Sequence, residues 1–201
     1  VNLIDGIDGL ASGLGILYCL FFAIYFGLVG EAGWSFIGIG MIGSLAVFFI
    51  YNVFGNREKI FMGDSGSLLL GYLLTAFVFR FCEINALGGT PALFHMDAAP
   101  AVAVCVLTVP IFDTIRVSIT RIKKGRSPFQ PDKNHIHHKF LALGFNTRVT
   151  MIIIVCGSLF FSVLNLYASK YIDIHILLLL NFVFYGGLNM YLTHKIKHKN
   201  L

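Results

Sequence analysis

The segment Arg121–Phe145, RIKKGRSPFQPDKNHIHHKFLALGF, is the longest polar segment of a chain in which 57% of the residues are hydrophobic. It contains three of the seven histidines, His135, His137 and His138, together with six basic residues and the carboxylate of Asp132. Cationic and imidazole side chains on a proline-containing loop suit a polyanion such as a phosphate ester. A basic loop that only fixes membrane topology is the alternative from this segment alone.

On either side of this segment the sequence is strongly apolar. A mean hydropathy of +0.80 with only 12% charged residues excludes an ordinary soluble domain and predicts an integral membrane protein. Six stretches approach the length of about 20 residues that a helix needs to cross a bilayer. We therefore predict an all-α, polytopic membrane protein in which residues 1–201 form a single integral membrane domain. The predicted spans are Leu10–Val29, Trp34–Phe54, Ser67–Cys82, Ala98–Ile119, Val149–Tyr167 and Ile174–Leu192.

The basic residues are divided unequally between the two sides that six spans create. One side has 13 of the 15 lysines and arginines, and the other has only Arg80 and Lys170. By the positive-inside rule, the basic side, which holds the histidine-rich segment, is predicted to be cytoplasmic.

Two acidic motifs lie on the same predicted side. Asp5 and Asp8 are each followed by glycine and precede the first span, close to Asn2. Asp64 lies in the sequence FMGDSGS at the start of the third span. A carboxylate beside a helix N-terminus can hold a hydrated divalent cation while backbone N–H groups face a phosphate. For Asp8 and Asp64, capping of the following helix is the alternative.

The joint placement of the three motifs is more informative than any one of them. Carboxylates suited to Mg²⁺, imidazoles and a basic loop on one membrane face favour transfer of a phosphorylated group to a membrane-bound acceptor. A transporter with a histidine-rich loop is the competing class. Transporters place their sites near the bilayer midplane, whereas every acidic residue here lies near a predicted loop or helix end.

These motifs resemble those of the polyprenyl-phosphate N-acetylhexosamine-1-phosphate transferases. The resemblance is carried by NLIDGIDGLA (2–11), FMGDSGS (61–67) and PDKNHIHH (131–138), in that order. It implies a bacterial inner-membrane enzyme that transfers a sugar 1-phosphate from a UDP-sugar to undecaprenyl phosphate, releases UMP, and initiates surface polysaccharide synthesis. The HIHH sequence is similar to the branch that uses UDP-GlcNAc for O-antigen or teichoic-acid linkage. The branch that transfers phospho-MurNAc-pentapeptide, which shows three consecutive histidines, is the alternative within the family.

The resemblance also implies roles for individual residues. Asp64 would be a ligand of Mg²⁺ or Mn²⁺, and Phe61 would stack on the uracil. Asp5, Asp8 and the three histidines are the other expected catalytic residues, and the histidines would hold the diphosphate or shape the site. The expected substrate-binding residues are Asn2, Gly6, Ile7, Asn52, Phe61, Arg116 and Arg126.

One feature departs from the family pattern. Its members carry an Asp-Asp pair in an earlier cytoplasmic loop, and this sequence has no adjacent aspartates. We therefore expect this chain to be the C-terminal portion of a larger transferase whose N-terminal helices are missing here. The expected partners are the UDP-sugar, undecaprenyl phosphate and the lipid bilayer, without nucleic acid, and a homodimer is compatible with the resemblance.

Overall fold

The helix Leu10–Leu28, α1, is the most buried of the helices that are long enough to cross a membrane. A computed structural model describes residues 5–88, 90–91, 93–96, 98–128 and 134–199 of the chain. Of the residues in the apolar stretch of α1, 61% are buried inside the protein. The corresponding share is 22–33% in the other long helices, whose apolar side chains face outward. The helices are α1 Leu10–Leu28, α2 Ala32–Phe54, α3 Gly63–Ala86, α4 Ala99–Val106, α5 Thr108–Lys123, α6 Ile136–Ala142, α7 Thr147–Ala168 and α8 Ile174–Lys199.

Aromatic rings pack α1 against its neighbours. Phe22 and Phe26 of α1 each lie 5.8 Å, centroid to centroid, from Phe77 of α3, and Trp34 of α2 lies 6.0 Å from Phe26. All three phenylalanines are fully buried. Because lipid is as apolar as these side chains, close van der Waals packing rather than water exclusion holds such helices together.

Five helices are long and apolar enough to cross a membrane, and α4 and α5 together supply a sixth if they count as one span. The protein is therefore an all-α, polytopic membrane protein, as the hydropathy predicts. The boundaries of α3 and α8 were predicted too short, because α3 begins at Gly63 and α8 continues through the basic tail to Lys199.

The fourth predicted span, Ala98–Ile119, is broken. Helices α4 and α5 meet at an angle of 80° around Leu107, whereas hydropathy predicts one continuous span over these residues. Proline has no backbone N–H, so the Val106 carbonyl loses its intrahelical donor. The Ser162 hydroxyl of α7 lies 3.4 Å from that carbonyl oxygen. The helix therefore breaks at Leu107, about one turn before Pro110, because the carbonyl that Pro110 leaves without a donor lies in the preceding turn.

Ion pairs and contacts near the helix termini identify the two ends of the bundle. At one end Arg80 forms ion pairs with Glu31 and Glu83. At the other end Lys59 pairs with Asp8, and His137 packs against Gly6. We call this second end the histidine end. The acidic motifs and the histidine motif therefore share one end of the bundle, as the alternation of six spans predicts.

Candidate active site

The acidic turn at residues 5–9 is held in place by Asn52 of α2. The Asn52 side-chain oxygen accepts a hydrogen bond of 2.7 Å from Gly9 N–H, and its amide nitrogen donates to the Ile60 carbonyl at 2.8 Å. Gly9 has a φ of 77° and is the N-cap of α1, a conformation that glycine adopts without strain. Asn52 is buried, and these bonds join the acidic turn to the loop at 55–62. Its predicted contact with a nucleotide stays a prediction.

Asp8 forms an ion pair rather than a helix cap. Its carboxylate lies 2.6 Å from Lys59 Nζ, and both side chains are 34% exposed. Such a partly exposed pair stabilises a fold by about 0–1 kcal/mol at most. Lys59 Nζ also lies 5.5 Å from the centre of the Phe61 ring. The pair therefore orients Lys59 and Phe61 next to the acidic turn.

Asp5 is half-buried beside Asp8. Burial, and then the negative charge of Asp8, raises the pKa of the Asp5 carboxyl above its ordinary value. A cation close to this pair would oppose both effects and favour the ionised form.

Phe61 and Asp64 are exposed where α3 begins. The Phe61 side chain is 75% exposed, although an aromatic ring of this size is usually covered. Asp64 lies in the first turn of α3 and is exposed, while the N-cap position is Met62, without a side-chain capping bond. The capping alternative for Asp64 is therefore wrong. Its negative charge is favourably placed at the positive end of the helix dipole.

The first histidine of the motif is anchored from α5. His135 Nδ1 lies 2.7 Å from the Asp113 carboxylate, which is completely buried. Since a carboxylate accepts hydrogen bonds, Nδ1 carries a proton and donates it to Asp113, which leaves Nε2 on the far side of the ring. Arg116 also donates to Asp113 at 2.8 Å, and the Ile136 N–H lies 3.2 Å from the same carboxylate. Asp113 therefore caps the N-terminus of α6 from another helix.

His137 is 1% exposed and lies against the acidic turn. Its ring is nearly parallel to that of His135, 5.9 Å away, and 4.2 Å from that of His138. Neither ring nitrogen has a hydrogen-bond partner in the described part of the chain. Burial, and then the charges of His138 and His135, lowers the pKa of His137 to about 4, so its imidazole is neutral at pH 7.

The contact between Gly6 and His137 joins two of the predicted motifs. A Cβ atom at Gly6 would lie 2.3 Å from His137 Nε2, which is closer than real Cβ contacts. The absence of a side chain at residue 6 is therefore what permits the contact.

The remaining predicted residues have different surroundings. Arg116 is committed to Asp113 and also donates to the Asn134 carbonyl, so it supports His135. Ile7 packs against the hydrophobic core and is partly buried. Arg126 is exposed in the turn that follows α5, and Asn2 lies outside the described residues.

Sequence reasoning missed two of the residues that organise this site. The spacing of three residues between Asp113 and Arg116 is that of an ion pair on one helix, which they form, but the bonds of Asp113 to His135 and Ile136 come from the tertiary fold. Lys59 was not singled out at all. The only available signal for Asp113 was its position on the same helical face as Val109, Phe112 and Val117, which are buried.

The described residues do not form a complete metal cage. They contain no group of three or more histidine, cysteine or acidic side chains placed to hold an ion. Mg²⁺ does not require such a cage, because it binds through one or two carboxylates and keeps waters and substrate phosphates as its other ligands.

Comparison with known proteins supports the resemblance. Residues 1–81 match the model of glycosyl transferase family 4. The decaprenyl-phosphate N-acetylglucosaminephosphotransferase of Mycobacterium leprae is 34% identical over 169 residues, which cover 77% of this chain and 41% of that protein. The undecaprenyl-phosphate alpha-N-acetylglucosaminyl 1-phosphate transferase of Yersinia pestis is 30% identical over 198 residues, and that of Escherichia coli K12 is 31% identical over the same length. The match to glycosyl transferase family 4 covers the part of the chain that contains both acidic motifs.

The similarity of the chain to these relatives extends beyond the acidic motifs. For the Yersinia and Escherichia proteins it covers 92% of the chain, so it continues well past residue 81 into the half with the histidine motif. The chain spans about half the length of these relatives, 50% in both cases. No solved structure matches the chain.

Proposed function

We propose that this protein is a glycosyl transferase of family 4 that acts in the transfer of N-acetylglucosamine 1-phosphate from UDP-GlcNAc to undecaprenyl phosphate, with release of UMP. The observation that carries the proposal is the packing of His137 against Gly6, which places the histidine motif against the acidic turn. The names of the relatives, two of which specify undecaprenyl phosphate and N-acetylglucosamine, support the same acceptor and sugar. Neither they nor the site favours a transporter or a pentapeptide substrate.

The residues have distinct roles in this proposal. Phe61, with its exposed ring beside Lys59, stacks on the uracil. The acidic turn at residues 5–8 borders the uridine, with Gly6 and Ile7 as its backbone. His135, oriented by Asp113, directs Nε2 away from the carboxylate and towards the diphosphate. His138 lies next to the buried His137, so that the imidazole rings of His135, His137 and His138 form one cluster.

The acidic residues fit a divalent cation. Asp64 is an exposed carboxylate, and Asp5 has a pKa that burial and a neighbouring negative charge raise. We propose Asp64 as the protein ligand of Mg²⁺, for which Mn²⁺ can substitute. When bound, the cation would neutralise charge on the transferred phosphate. The protein's own contribution is to hold the nucleotide and diphosphate in a fixed orientation, which is a large part of catalysis in phosphoryl transfer.

The proposed reaction is tested by measuring UMP released from UDP-GlcNAc in the presence of undecaprenyl phosphate. The measurement uses the full gene product that contains this sequence, in detergent, with and without Mg²⁺. We expect UMP formation that requires both the lipid phosphate and the cation. UMP formation from UDP-MurNAc-pentapeptide in place of UDP-GlcNAc would contradict the proposed sugar, and no UMP from either donor would contradict the reaction.

We also propose that the histidine end faces the cytoplasm of a bacterial inner membrane, because 13 of 15 basic residues belong to that side. In a background without the four native cysteines, Ser127→Cys should not react with a membrane-impermeant maleimide added to intact cells. Leu93→Cys, at a side chain that is 80% exposed, should react. The reverse pattern of labelling would invert the orientation.

A further inference from the structure

Helix α6, which follows directly on His135, is too short to hold its own orientation. It has 7 residues, Ile136–Ala142, and isolated helices of fewer than about 12 residues are marginally stable in water. The directions in which His135 and His138 point therefore depend on what the rest of the protein attaches to α6. Asp113 provides one attachment, at the Ile136 N–H of the N-terminal end.

The last part of α8 makes two further attachments to α6. The Lys139 ammonium, in the middle of α6, donates to the Asn189 carbonyl at 3.2 Å and to the Thr193 hydroxyl at 2.9 Å. Beyond the C-terminus of α6, Lys199 Nζ donates to the Leu143 carbonyl at 2.7 Å. Asn189 and Lys199 are separated by about 15 Å of helix. Helix α8 therefore follows α6 from its middle to its end.

The contact at Lys199 is of the kind that stabilises a helix C-terminus. Leu143 is the C-cap residue of α6, and a cation beside the last carbonyls of a helix faces the negative end of its dipole. The next residue, Gly144, has a φ of 96°, and a Cβ atom there would lie 2.8 Å from Lys199 Nζ. Glycine at this turn therefore leaves room for the lysine.

Lys139 lowers the stability of the fold. It is 8% exposed, and its two hydrogen-bond partners are neutral, which makes a buried ammonium unfavourable. Burial, and then the charge of Arg116, lowers the pKa of Lys139 from 10.5 to about 8. The free energy of unfolding is therefore smaller below about pH 8, where the folded protein must bury the charge, than above about pH 10.5. The Asn189 carbonyl does not require Lys139, since the Thr193 hydroxyl donates to it at 2.8 Å.

We propose that the end of α8, from Asn189 to Lys199, is a support that fixes the orientation of α6, and that Lys139 and Lys199 are positioning residues for the histidine motif. The effect on catalysis rests on the proposed function, whereas the support itself is a feature of the fold. A basic tail beside a membrane can also act by attraction to anionic lipid. That attraction depends on summed charge and not on which lysine carries it.

Hydrogen–deuterium exchange of the detergent-solubilised full gene product tests the support without reference to the reaction. In Lys199→Met, the loss of one attachment should let α6 open more often, so the amides of residues 137–144 should exchange about fivefold faster or more. Lys197→Met removes the same charge from an exposed side chain on the same tail, which makes no hydrogen bond within the described part of the chain. It should leave the exchange of α6 unchanged. Equal exchange in the two variants would overturn the support.

Lys139→Met tests whether the support serves the histidines. The substitution nearly keeps the length of the side chain and removes its charge and its donors. We expect kcat for UMP release to fall about tenfold, with the KM for UDP-GlcNAc changed less than about twofold and an equal or higher thermal unfolding midpoint. Lys139→Gln, which keeps an N–H donor without the charge, should restore kcat to within about threefold of the unchanged protein. Full activity in Lys139→Met, or a lower unfolding midpoint with the loss of activity, would overturn the positioning role.

A positioning residue acts through the histidines, so its effect should depend on them. In a His135→Ala background, Lys139→Met should lower kcat by less than about threefold, because the effects of residues that act as a unit are not additive. An equal loss with and without His135 would show that Lys139 acts independently of the motif and would contradict the proposal. If the unchanged protein releases no UMP, the proposed reaction fails, and the exchange of α6 alone decides whether the support exists.

Discussion

Asp64→Asn is expected to lower kcat by a factor on the order of 10² or more, with a much smaller change in the KM for the UDP-sugar. The substitution removes a negative charge while it keeps the shape of the side chain. If the carboxylate holds the cation that neutralises charge on the transferred phosphate, the loss falls on the transition state more than on substrate binding. Steady-state UMP release at saturating Mg²⁺ measures the effect.

A purely structural role for Asp64 predicts a different result. Asparagine caps helices about as well as aspartate, and Asp64 is not the cap of α3 in any case. The matched control is Glu58→Gln, which neutralises an exposed carboxylate in the loop that precedes α3 and should retain nearly full activity. Activity of Asp64→Asn close to that of Glu58→Gln would refute the metal-ligand role.

Hydropathy predicted the membrane helices because lipid demands long apolar segments whose backbone groups are bonded internally. The same criterion does not detect where a helix ends once it leaves the apolar region. Helix α8 continues through His194 and Lys197 to Lys199, since polar side chains in water do not interrupt helical hydrogen bonds. The spans that hydropathy predicted for α3 and α8 were therefore shorter than the helices themselves.

The fold around the histidine motif could be predicted less well. Residues 136–142 were interpreted as part of a loop, but they form α6 because the Asp113 carboxylate accepts the Ile136 N–H from 23 residues away. Sequence motifs show which residue types are adjacent in the chain. They do not show that a carboxylate on α5 orients His135, or that Gly6 is the residue on which His137 packs.

The break at Leu107 is an intermediate case. Pro110 indicated that the helix is disturbed, but the angle of 80° depends on α7, where Ser162 approaches the Val106 carbonyl that the proline leaves without a donor. This bend gives α5 a direction different from that of α4. Asp113 and Arg116, both on α5, lie within hydrogen-bond distance of the histidine segment, at His135 and Asn134 respectively.

Replacement of a single histidine in the motif is expected to lower kcat/KM for UMP release by about 10- to 150-fold. The variants to be measured are His135→Ala and His138→Ala, one at a time. A hydrogen bond to a charged group contributes roughly 1.5–3 kcal/mol, which corresponds to this range. Gly6→Ala should cause a loss of similar size, since its Cβ would displace the His137 ring that packs there.

His198→Ala separates fixed geometry from summed charge at this end of the bundle. His198 is an exposed histidine near the end of α8 and belongs to the same basic side. If the histidine-rich segment acted only as a topological or electrostatic loop, the loss of one imidazole would matter as little at residue 135 or 138 as at residue 198. A phosphate-binding group requires donors and acceptors at defined positions, so activity should fall in the motif variants and not in His198→Ala. Thermal unfolding midpoints of all variants, measured in the same detergent, should agree within a few degrees, which shows that the loss of activity is not caused by unfolding. Near-normal rates in both motif variants would leave the segment with a topological role alone.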